Sequence, residues 1–579
     1  MNEVVLRTSS GQWLLFRGAA EVLEARSLGD VLPNLHRLEE LVREQRWIAA
    51  GFLGYESAPT FDRALRVRPS DQFPLLWFGL YRRVEAIPPP QPDGATIPSP
   101  TWKISVPRED YEAAFARIKD HVACGNTYQV NYSIRLQAPF VGDAWEFFCA
   151  MAYEAQAGYS AYVDTGRYAI LSVSPELFFR RRGPDLETRP MKGTAPRGRF
   201  QAEDVAQGEW LRTSEKNRAE NVMIVDMMRN DLGRVAETGT VYVPRLFETE
   251  RYPTVWQMTS TVTARSRASL TEILAALFPS ASVTGAPKPR TMEIIAELET
   301  EPRRIYTGTI GFVTPEGDAQ FSVAIRTVLV DRVAGTAEYG VGGGIVWDSD
   351  AGEEYEECLE KARVLTERLP GFGLLETLSW DPAGGYFLLD HHLDRLQESA
   401  AYFDFAVDIA RARDRLEELV RTFPPRRHRV RLRTGRDGEF VLEASPLEEG
   451  QANRPLRLRV APFPVRSSNR FLFHKTNHRK AYDDAVAACP DADDVLLWNE
   501  RGEVTETSIG NLVVLMDGRL FTPPVACGLL PGTFRRWLLD HGKVKERVIP
   551  LEGLRRCSKL YRINSVRRWE RAVLMELQA

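Results

Sequence analysis

At 579 residues, 44% hydrophobic and 27% charged, the chain describes a folded protein of several domains and excludes a disordered tail or a fibre. Basic and acidic residues are interleaved at a formal net charge of -4, so no long basic stripe argues for a nucleic-acid partner. Six cysteines lie far apart with none in a C-x-x-C pair, which disfavours a structural zinc or a disulfide framework and points to reduced thiols.

The opening Met1-Asn2-Glu3-Val4-Val5-Leu6-Arg7 lacks a basic start followed by a sustained apolar run, and no later stretch approaches a membrane span. A cytoplasmic protein without membrane contact is the expectation. Residues 1–86 read as an N-terminal region. Residues 87–100, beginning Ile87-Pro88-Pro89-Pro90-Gln91-Pro92, form a proline-rich linker whose fixed torsions and missing donors cannot continue a helix or a central strand. A larger block follows over 101–367 and ends in a helical pattern from Glu353 to Leu369. There Tyr355, Cys358, Leu359, Ala362 and Leu365 recur at helical spacing before Pro370-Gly371 stops it. From 372 to 579 the texture changes to that of an α+β unit. Arg429 to Arg433 alternates basic residues with Val430 and Leu432, and turn signals at Gly435 to Gly438, Arg501-Gly502 and Asp517-Gly518 separate strand-like runs.

Within the larger block, Glu220 shares a helical face with Met223, Ile224 and Met227. A carboxylate on an apolar face needs a partner, since an unpaired buried charge costs roughly several kcal/mol. On the terminal helix Glu354, Glu357 and Lys361 occupy one stripe. Two helices therefore can offer oxygens to a hard cation such as Mg²⁺, which takes few protein carboxylates beside water and substrate. Spacing alone leaves a metal site and a pair of ion-paired, solvated helix faces both open; Glu353 and Glu360 read as solvated.

The ordered motifs of this block carry a resemblance. Ser174-Pro175-Glu176-Leu177-Phe178, Pro190-Met191-Lys192-Gly193-Thr194, the Ala219 to Asp231 helix, Thr284-Gly285-Ala286-Pro287-Lys288, Tyr306 to Gly311, Ala324-Ile325-Arg326-Thr327, Gly342 to Ile345 and Glu354-Tyr355-Glu356-Glu357 stand in sequence. Together they resemble the chorismate-utilising enzymes, above all the aminating component of aminodeoxychorismate synthase. The resemblance implies a two-layered α/β fold with a large antiparallel sheet around the active site, and Mg²⁺ held by Glu220 and Glu357 with Glu354 nearby.

It further implies that Glu176 is the general acid for a leaving hydroxyl, a task that needs a carboxyl with a raised pKa. Lys192 would be the lysine that adds covalently to the ring before ammonia displaces it, where anthranilate synthases usually carry alanine. An unperturbed lysine near pKa ~10.4 is a poor nucleophile at neutral pH, so its surroundings must activate it. Gln129 stands where water-using relatives carry a basic lysine, which favours ammonia over water. For a substrate with two carboxylates, Arg326 can grip one bidentately and Tyr306 can donate a hydrogen bond. The run Gly342, Gly343, Gly344 lets backbone N–H groups approach, and Thr194 and Lys361 complete the expected substrate set. One departure stands out: Gln257, in Val255-Trp256-Gln257-Met258, replaces a histidine of many relatives and cannot carry charge.

Residues 372–579 resemble the fold-type IV pyridoxal phosphate enzymes, most closely aminodeoxychorismate lyase. The helix His392 to Ala400 implies Arg395 as a ligand of the cofactor phosphate, and Lys475, in His474-Lys475-Thr476-Asn477-His478-Arg479, as the lysine that binds the cofactor covalently. Glu506 would pair with the pyridine nitrogen. Gly532 and Thr533, in Gly528 to Thr533, would offer amides and a hydroxyl to the phosphate. Arg567 in Asn564-Ser565-Val566-Arg567 would help with a substrate carboxylate.

The joint expectation is a bifunctional enzyme that takes chorismate and ammonia to 4-amino-4-deoxychorismate, then eliminates pyruvate to leave 4-aminobenzoate for folate, with Mg²⁺ and pyridoxal 5'-phosphate as cofactors. None of the six cysteines sits in the G-x-C-x-G elbow of class I glutaminases, so a separate amidotransferase subunit is expected to supply ammonia. Pairing as a homodimer through the C-terminal half is a further expectation. Two alternatives compete: anthranilate-type amination fused to a class IV aminotransferase, against which Lys192 argues, and a C-terminal half that serves only as a non-catalytic dimerisation module.

Overall fold

The computed structural model describes residues 2–69, 72–93, 97–365, 371–447 and 454–575. The chain divides into two compact units, one formed by Met1–Pro196 and Gly208–Arg368, the other by Arg197–Gln207 and Leu369–Ala579. Nothing in the sequence marks the short excursion at Arg197–Gln207.

The first unit is built on two ten-stranded sheets, antiparallel throughout among the described residues. Val4, Phe16, Ala50, Phe52, Val163, Ile170 and Ile310 form a core drawn from both sheets, so the sheets pack face to face. Helices cover the outer faces. Glu215–Gly233 and Leu270–Leu277 lie on one sheet, Arg108–Ala123 and Ala351–Ala362 on the other. The outcome is the expected α/β architecture with large antiparallel sheets.

The first 86 residues do not stand apart from this unit. Glu3–Arg7 pairs with Tyr159–Asp164 in one sheet, and Ile48–Leu53 pairs with Thr309–Val313 in the other. The proline-rich stretch thus joins two parts of one unit; residues 94–96 of it lie outside the described residues. Pairing between strands more than a hundred residues apart leaves no local mark, which is why composition alone suggests a separate region.

Two helix starts show how local sequence sets the frame of the site. Ser214 caps Glu215–Gly233 by accepting from the Asn217 backbone N–H, and Asp350 caps Ala351–Ala362 by accepting from Gly352 and Glu353. The terminal helix gives way to a 3-10 turn at Arg363–Leu365. Its expected end at Leu369 and Pro370 lies outside the described residues.

The second unit holds a four-stranded antiparallel sheet and an eight-stranded mixed one. Strand His428–Thr434 buries His428, Val430, Leu432 and Thr434 and exposes Arg429, Arg431 and Arg433, the period of two read from its sequence. Helix Leu389–Phe403 packs Leu393, Leu396, Ala400 and Phe403 against Leu374, Val430 and Leu432 of that sheet. Each such apolar side chain contributes about 1.5–3 kcal/mol when fully buried. In the larger sheet Leu456–Val460 pairs parallel with both neighbours. Among the described residues no helix is long and apolar enough to cross a membrane.

Two candidate active sites

The first unit contains a cavity of about 570 Å³. Glu176, Lys192, Thr194, Glu220, Tyr306, Arg326, Gly342, Gly343, Gly344, Glu354, Glu357 and Lys361 all line it. Gln129, expected in the substrate set, is not among the lining residues; it is buried behind Gly344, 1% exposed, with neither amide atom hydrogen-bonded among the described residues.

Lys192 owes its aim to an irregular strand. Met191–Pro196 pairs with Val255–Arg265, but the register shifts between Met191 and Thr194, and Gly193 at φ 108 takes up the bend. A residue with a Cβ is strained at that torsion. The Lys192 amine then lies 3.3 Å from Glu220 Oε2, both side chains about one-fifth exposed, at 18% and 20%. The partner that Glu220 requires on its apolar face is therefore this lysine. Asn221 Nδ2 donates to the Lys192 carbonyl at 3.1 Å while Asn221 Oδ1 accepts from Ser260 Oγ at 2.5 Å, which fixes the backbone beneath the amine.

Opposite, the strand Thr336–Ile345 runs antiparallel to Gln129–Pro139, with Gly344 across from Asn131 and Gly342 across from Ser133. A Cβ on Gly344 would sit 2.7 Å from Lys192 Nζ and 3.1 Å from Gln129 Nε2; one on Gly343 would sit 2.5 Å from Glu354 Oε2. These glycines make room for side chains of the site as well as for any ligand.

Glu176, 3% exposed, accepts from Ser282 Oγ at 2.6 Å, and burial pushes its pKa up to about 7. It is a carboxyl poised to give up a proton near neutral pH. On the terminal helix, burial and then the charge of Glu357 raise Glu354, whereas Lys361 lowers Glu357. Burial opposes the charge of Lys361, but Glu357 and its other neighbours outweigh it and raise the pKa. Lys361 also donates to the Gly342 carbonyl at 2.8 Å.

Among the described residues no three acidic side chains converge as a ready-made metal cage. Glu220, Glu354 and Glu357 nonetheless face one cavity from two helices, where burial and, after it, the charge of Glu357 raise Glu354. A hard cation that keeps most of its water fits such a set.

Arg326 lines the cavity half-buried, in the left-handed region at φ 50, with no carboxylate partner among the described residues. Strained backbone of this kind concentrates at binding sites. Tyr306 is buried with the Arg135 guanidinium 5.1 Å from its ring centre, and Arg135 and Arg303 both pair with buried Glu299. Thr194 Oγ1 donates to Gln257 Oε1 at 3.3 Å, so Gln257 is tied into a neutral contact.

The second unit holds a narrower cavity, about 260 Å³, lined by Arg395, Lys475, Glu506, Gly532, Thr533 and Arg567. Leu375 N–H donates to the Lys475 carbonyl at 2.9 Å. Burial, reinforced by the positive charge of Arg395, pushes the Lys475 pKa down to about 8. Glu506, 3% exposed, accepts from Tyr482 Oη at 2.8 Å, Leu530 N–H at 3.0 Å and Asn511 Nδ2 at 3.1 Å. Burial nevertheless raises it to about 7. A carboxylate accepts about four bonds, so one site is left for a pyridine N–H.

Arg395 gives Nε and one Nη2 hydrogen to Glu376, at 2.9 and 2.7 Å, and an Nη1 hydrogen to the Pro531 carbonyl at 3.3 Å. Two of its five N–H groups remain for an anion. Pyridoxal phosphate fits this set, since an amine, a carboxylate, a guanidinium with unused donors and the start of the helix at Thr533 line one cavity. Arg567 is exposed and its Nη1 lies 3.5 Å from Glu570, so it edges the cavity rather than closing it.

Several residues of both sites have no signature of their own in the sequence. Ser282 beside Glu176 and Glu376 beside Arg395 come from unrelated stretches of chain. Tyr482 carried a signal, lying seven residues after Lys475 on the helix Lys480–Ala487.

Comparison with known proteins agrees with this geometry. The chorismate binding enzyme family matches residues 4–367, and the class IV amino-transferase family matches 373–572. Aminodeoxychorismate synthase component 1 of Klebsiella aerogenes is 43% identical over 270 residues, 46% of this chain and 59% of that protein. Anthranilate synthase component 1 1 of Haloarcula marismortui is 41% identical over 280 residues, 48% of this chain and 56% of that protein. The chain thus spans somewhat over half the length of these relatives. The crystal structure of anthranilate synthase component I from Streptococcus pneumoniae superposes with a TM-score of 0.54 at 25% identity, covering 61% of this chain and 92% of that one. With a cavity of this composition and a family match over more than half its length, the chain belongs to the chorismate binding enzymes and carries a class IV amino-transferase region behind them.

Proposed function

We propose that the first unit converts chorismate and ammonia to 4-amino-4-deoxychorismate and that the second eliminates pyruvate from it to leave 4-aminobenzoate. The observation that carries this reading is the pair of placed lysines. Lys192 faces Glu220 and Gly344 in a cavity large enough for a cyclohexadiene, and Lys475 stands in a second cavity with Glu506.

In the first cavity Arg326, without a counter-ion of its own, takes a substrate carboxylate, and the buried Tyr306 hydroxyl orients it. Glu176 Oε gives its proton to the departing ring hydroxyl, which leaves as water. Lys192 Nζ bonds to the ring, and ammonia then displaces it. Gln129 supplies a neutral amide with both ends unsatisfied, able to bind ammonia but unable to take a proton from water. An unsatisfied buried amide costs about 1–3 kcal/mol, which an incoming ligand relieves. Glu220, Glu354 and Glu357 would hold Mg²⁺, whose chemistry when bound is to neutralise substrate carboxylate. We assign the supply of ammonia to a separate glutamine amidotransferase.

In the second cavity pyridoxal phosphate, when bound, supplies the electron sink that lets the enolpyruvyl group leave as pyruvate. Lys475 Nζ, near pKa 8, is the group that can both hold the cofactor and carry a ring proton. Glu506 would keep the pyridine nitrogen protonated, and Arg395 with the backbone amides at Gly532 and Thr533 would hold the phosphate.

Product analysis tests the whole reading. The purified chain is given chorismate, Mg²⁺ and ammonium, with pyridoxal phosphate and again after the cofactor is stripped. 4-Aminobenzoate and pyruvate are expected only with cofactor, and aminodeoxychorismate without it. Anthranilate in either arm would overturn the role given to Lys192.

A further inference from the structure

We propose that Glu376 and His392 are positioning residues for the phosphate end of the second site, a buried polar chain that ties Arg395 to Thr533; the inference rests on the pyridoxal phosphate reading above.

The four side chains come from three separate elements. Glu376 lies on strand Leu374–Asp381, His392 and Arg395 lie one turn apart on helix Leu389–Phe403, and Thr533 opens helix Thr533–Asp540. All are at least nine-tenths buried: Glu376 at 2% exposed, His392 at 1%, Arg395 at 6% and Thr533 at 4%. Arg395 grips Glu376 through two parallel hydrogen bonds. His392 Nδ1 meets Glu376 Oε2 at 2.6 Å, and His392 Nε2 meets Thr533 Oγ1 at 3.3 Å. Neither side of the phosphate cradle is held by apolar packing alone.

The charges fix the direction of every bond. Burial works against the charge of Glu376, but Arg395 and His392 outweigh it and hold its pKa at about 2. Burial also keeps His392 below its usual value in spite of Glu376, with Arg395 and Lys475 adding to the effect. An ionised carboxylate beside a neutral imidazole makes Nδ1 the donor and leaves Nε2 an acceptor. Thr533 Oγ–H must then donate to Nε2, which locks its rotamer. The two N–H groups that Arg395 has left, and the backbone N–H of Thr533 at the start of its helix, are thereby held in fixed positions at the cavity wall. A cofactor bearing phosphate would feel that arrangement; one lacking phosphate would not.

That difference is the test. The full chain, wild type and variant, is titrated with pyridoxal phosphate and with pyridoxal, which shares the ring and aldehyde but has no phosphate. Glu376→Gln and His392→Phe are expected to weaken pyridoxal phosphate about tenfold or more, the scale of one lost charge-assisted contact, with pyridoxal changed less than about twofold. Thr533→Val, which removes only the hydroxyl, is expected to act in the same direction by about threefold and decides the matter should Glu376→Gln fail to fold. His392→Asn, which keeps a donor toward Glu376, is expected to recover part of the preference for the phosphate form. Parallel weakening of both ligands, or no change in either, overturns the positioning role. A wild-type chain that binds neither ligand overturns the cofactor reading itself and the chain with it, a result distinguishable from the loss of preference alone.

Discussion

The two cavities use lysine in opposite electrostatic settings. Lys192 is partly exposed in a wide, charge-rich cavity and keeps a carboxylate partner in Glu220, whereas Lys475 sits in a cavity less than half as large where burial and Arg395 push its pKa down to about 8. One amine keeps a carboxylate neighbour in an open cavity; the other is desolvated before any ligand arrives. A single residue type thus stands in two surroundings, one paired and one desolvated.

The comparison breaks most sharply at the lysines themselves. Lys475→Ala is expected to cut pyruvate and 4-aminobenzoate formation by ~10³-fold or more, at the upper end of what one acid–base group supplies, while aminodeoxychorismate accumulates. Lys192→Ala should lower aminodeoxychorismate formation by roughly 10²–10³-fold and leave the visible absorbance of bound pyridoxal phosphate intact. If that absorbance disappears as well, the two sites are not independent and the contrast fails.

Smaller effects sharpen it. Glu176→Gln should cost the amination step about 10²-fold, the lower end of the acid–base range, and flatten its pH profile. In the wild type that profile is set by a carboxyl near pKa 7 that acts in its protonated form, so the rate is level below about 7 and falls as pH rises above it. Capture of pyridoxal phosphate needs the free amine of Lys475 and should rise with pH, levelling above about 8. Opposite slopes between pH 7 and 8, measured on the two half-reactions separately, are the expected signature. Gly344→Ala, whose Cβ would press on the Lys192 amine, should slow amination by about tenfold and leave cofactor capture unchanged.

Much of both candidate sites was legible in the sequence because side chains that line the two cavities sit in motifs: Glu176, Lys192, Arg326 and the glycine run in one, Lys475 and Glu506 in the other. The stripe of Glu354, Glu357 and Lys361 follows from helical spacing and was found where expected. What stayed hidden were partners supplied from far along the chain. That the carboxylate on the Glu220 face needs company is a statement about burial; that its partner is Lys192 depends on a strand bulge at Gly193. Ser282 and the Glu299, Arg303 and Arg135 cluster behind Tyr306 are likewise products of tertiary packing. The N-terminal strands fall in the same class, since their pairing with Tyr159–Asp164 and Thr309–Val313 is invisible from composition.

The glycine strand carries a consequence for how this protein can vary. At Gly340 a Cβ would lie 2.3 Å from the Tyr306 ring, at Gly342 2.4 Å from the Tyr132 carbonyl, at Gly343 2.5 Å from Glu354 and at Gly344 2.7 Å from Lys192. Every missense change in a glycine codon adds at least a Cβ, and no smaller residue exists to compensate. Gly340 and Gly342, obstructed by a ring and a backbone carbonyl, are therefore closed to gradual drift, whereas at Gly343 and Gly344 a Cβ displaces the tips of Glu354 and Lys192, so variation there acts on the placement of those two side chains.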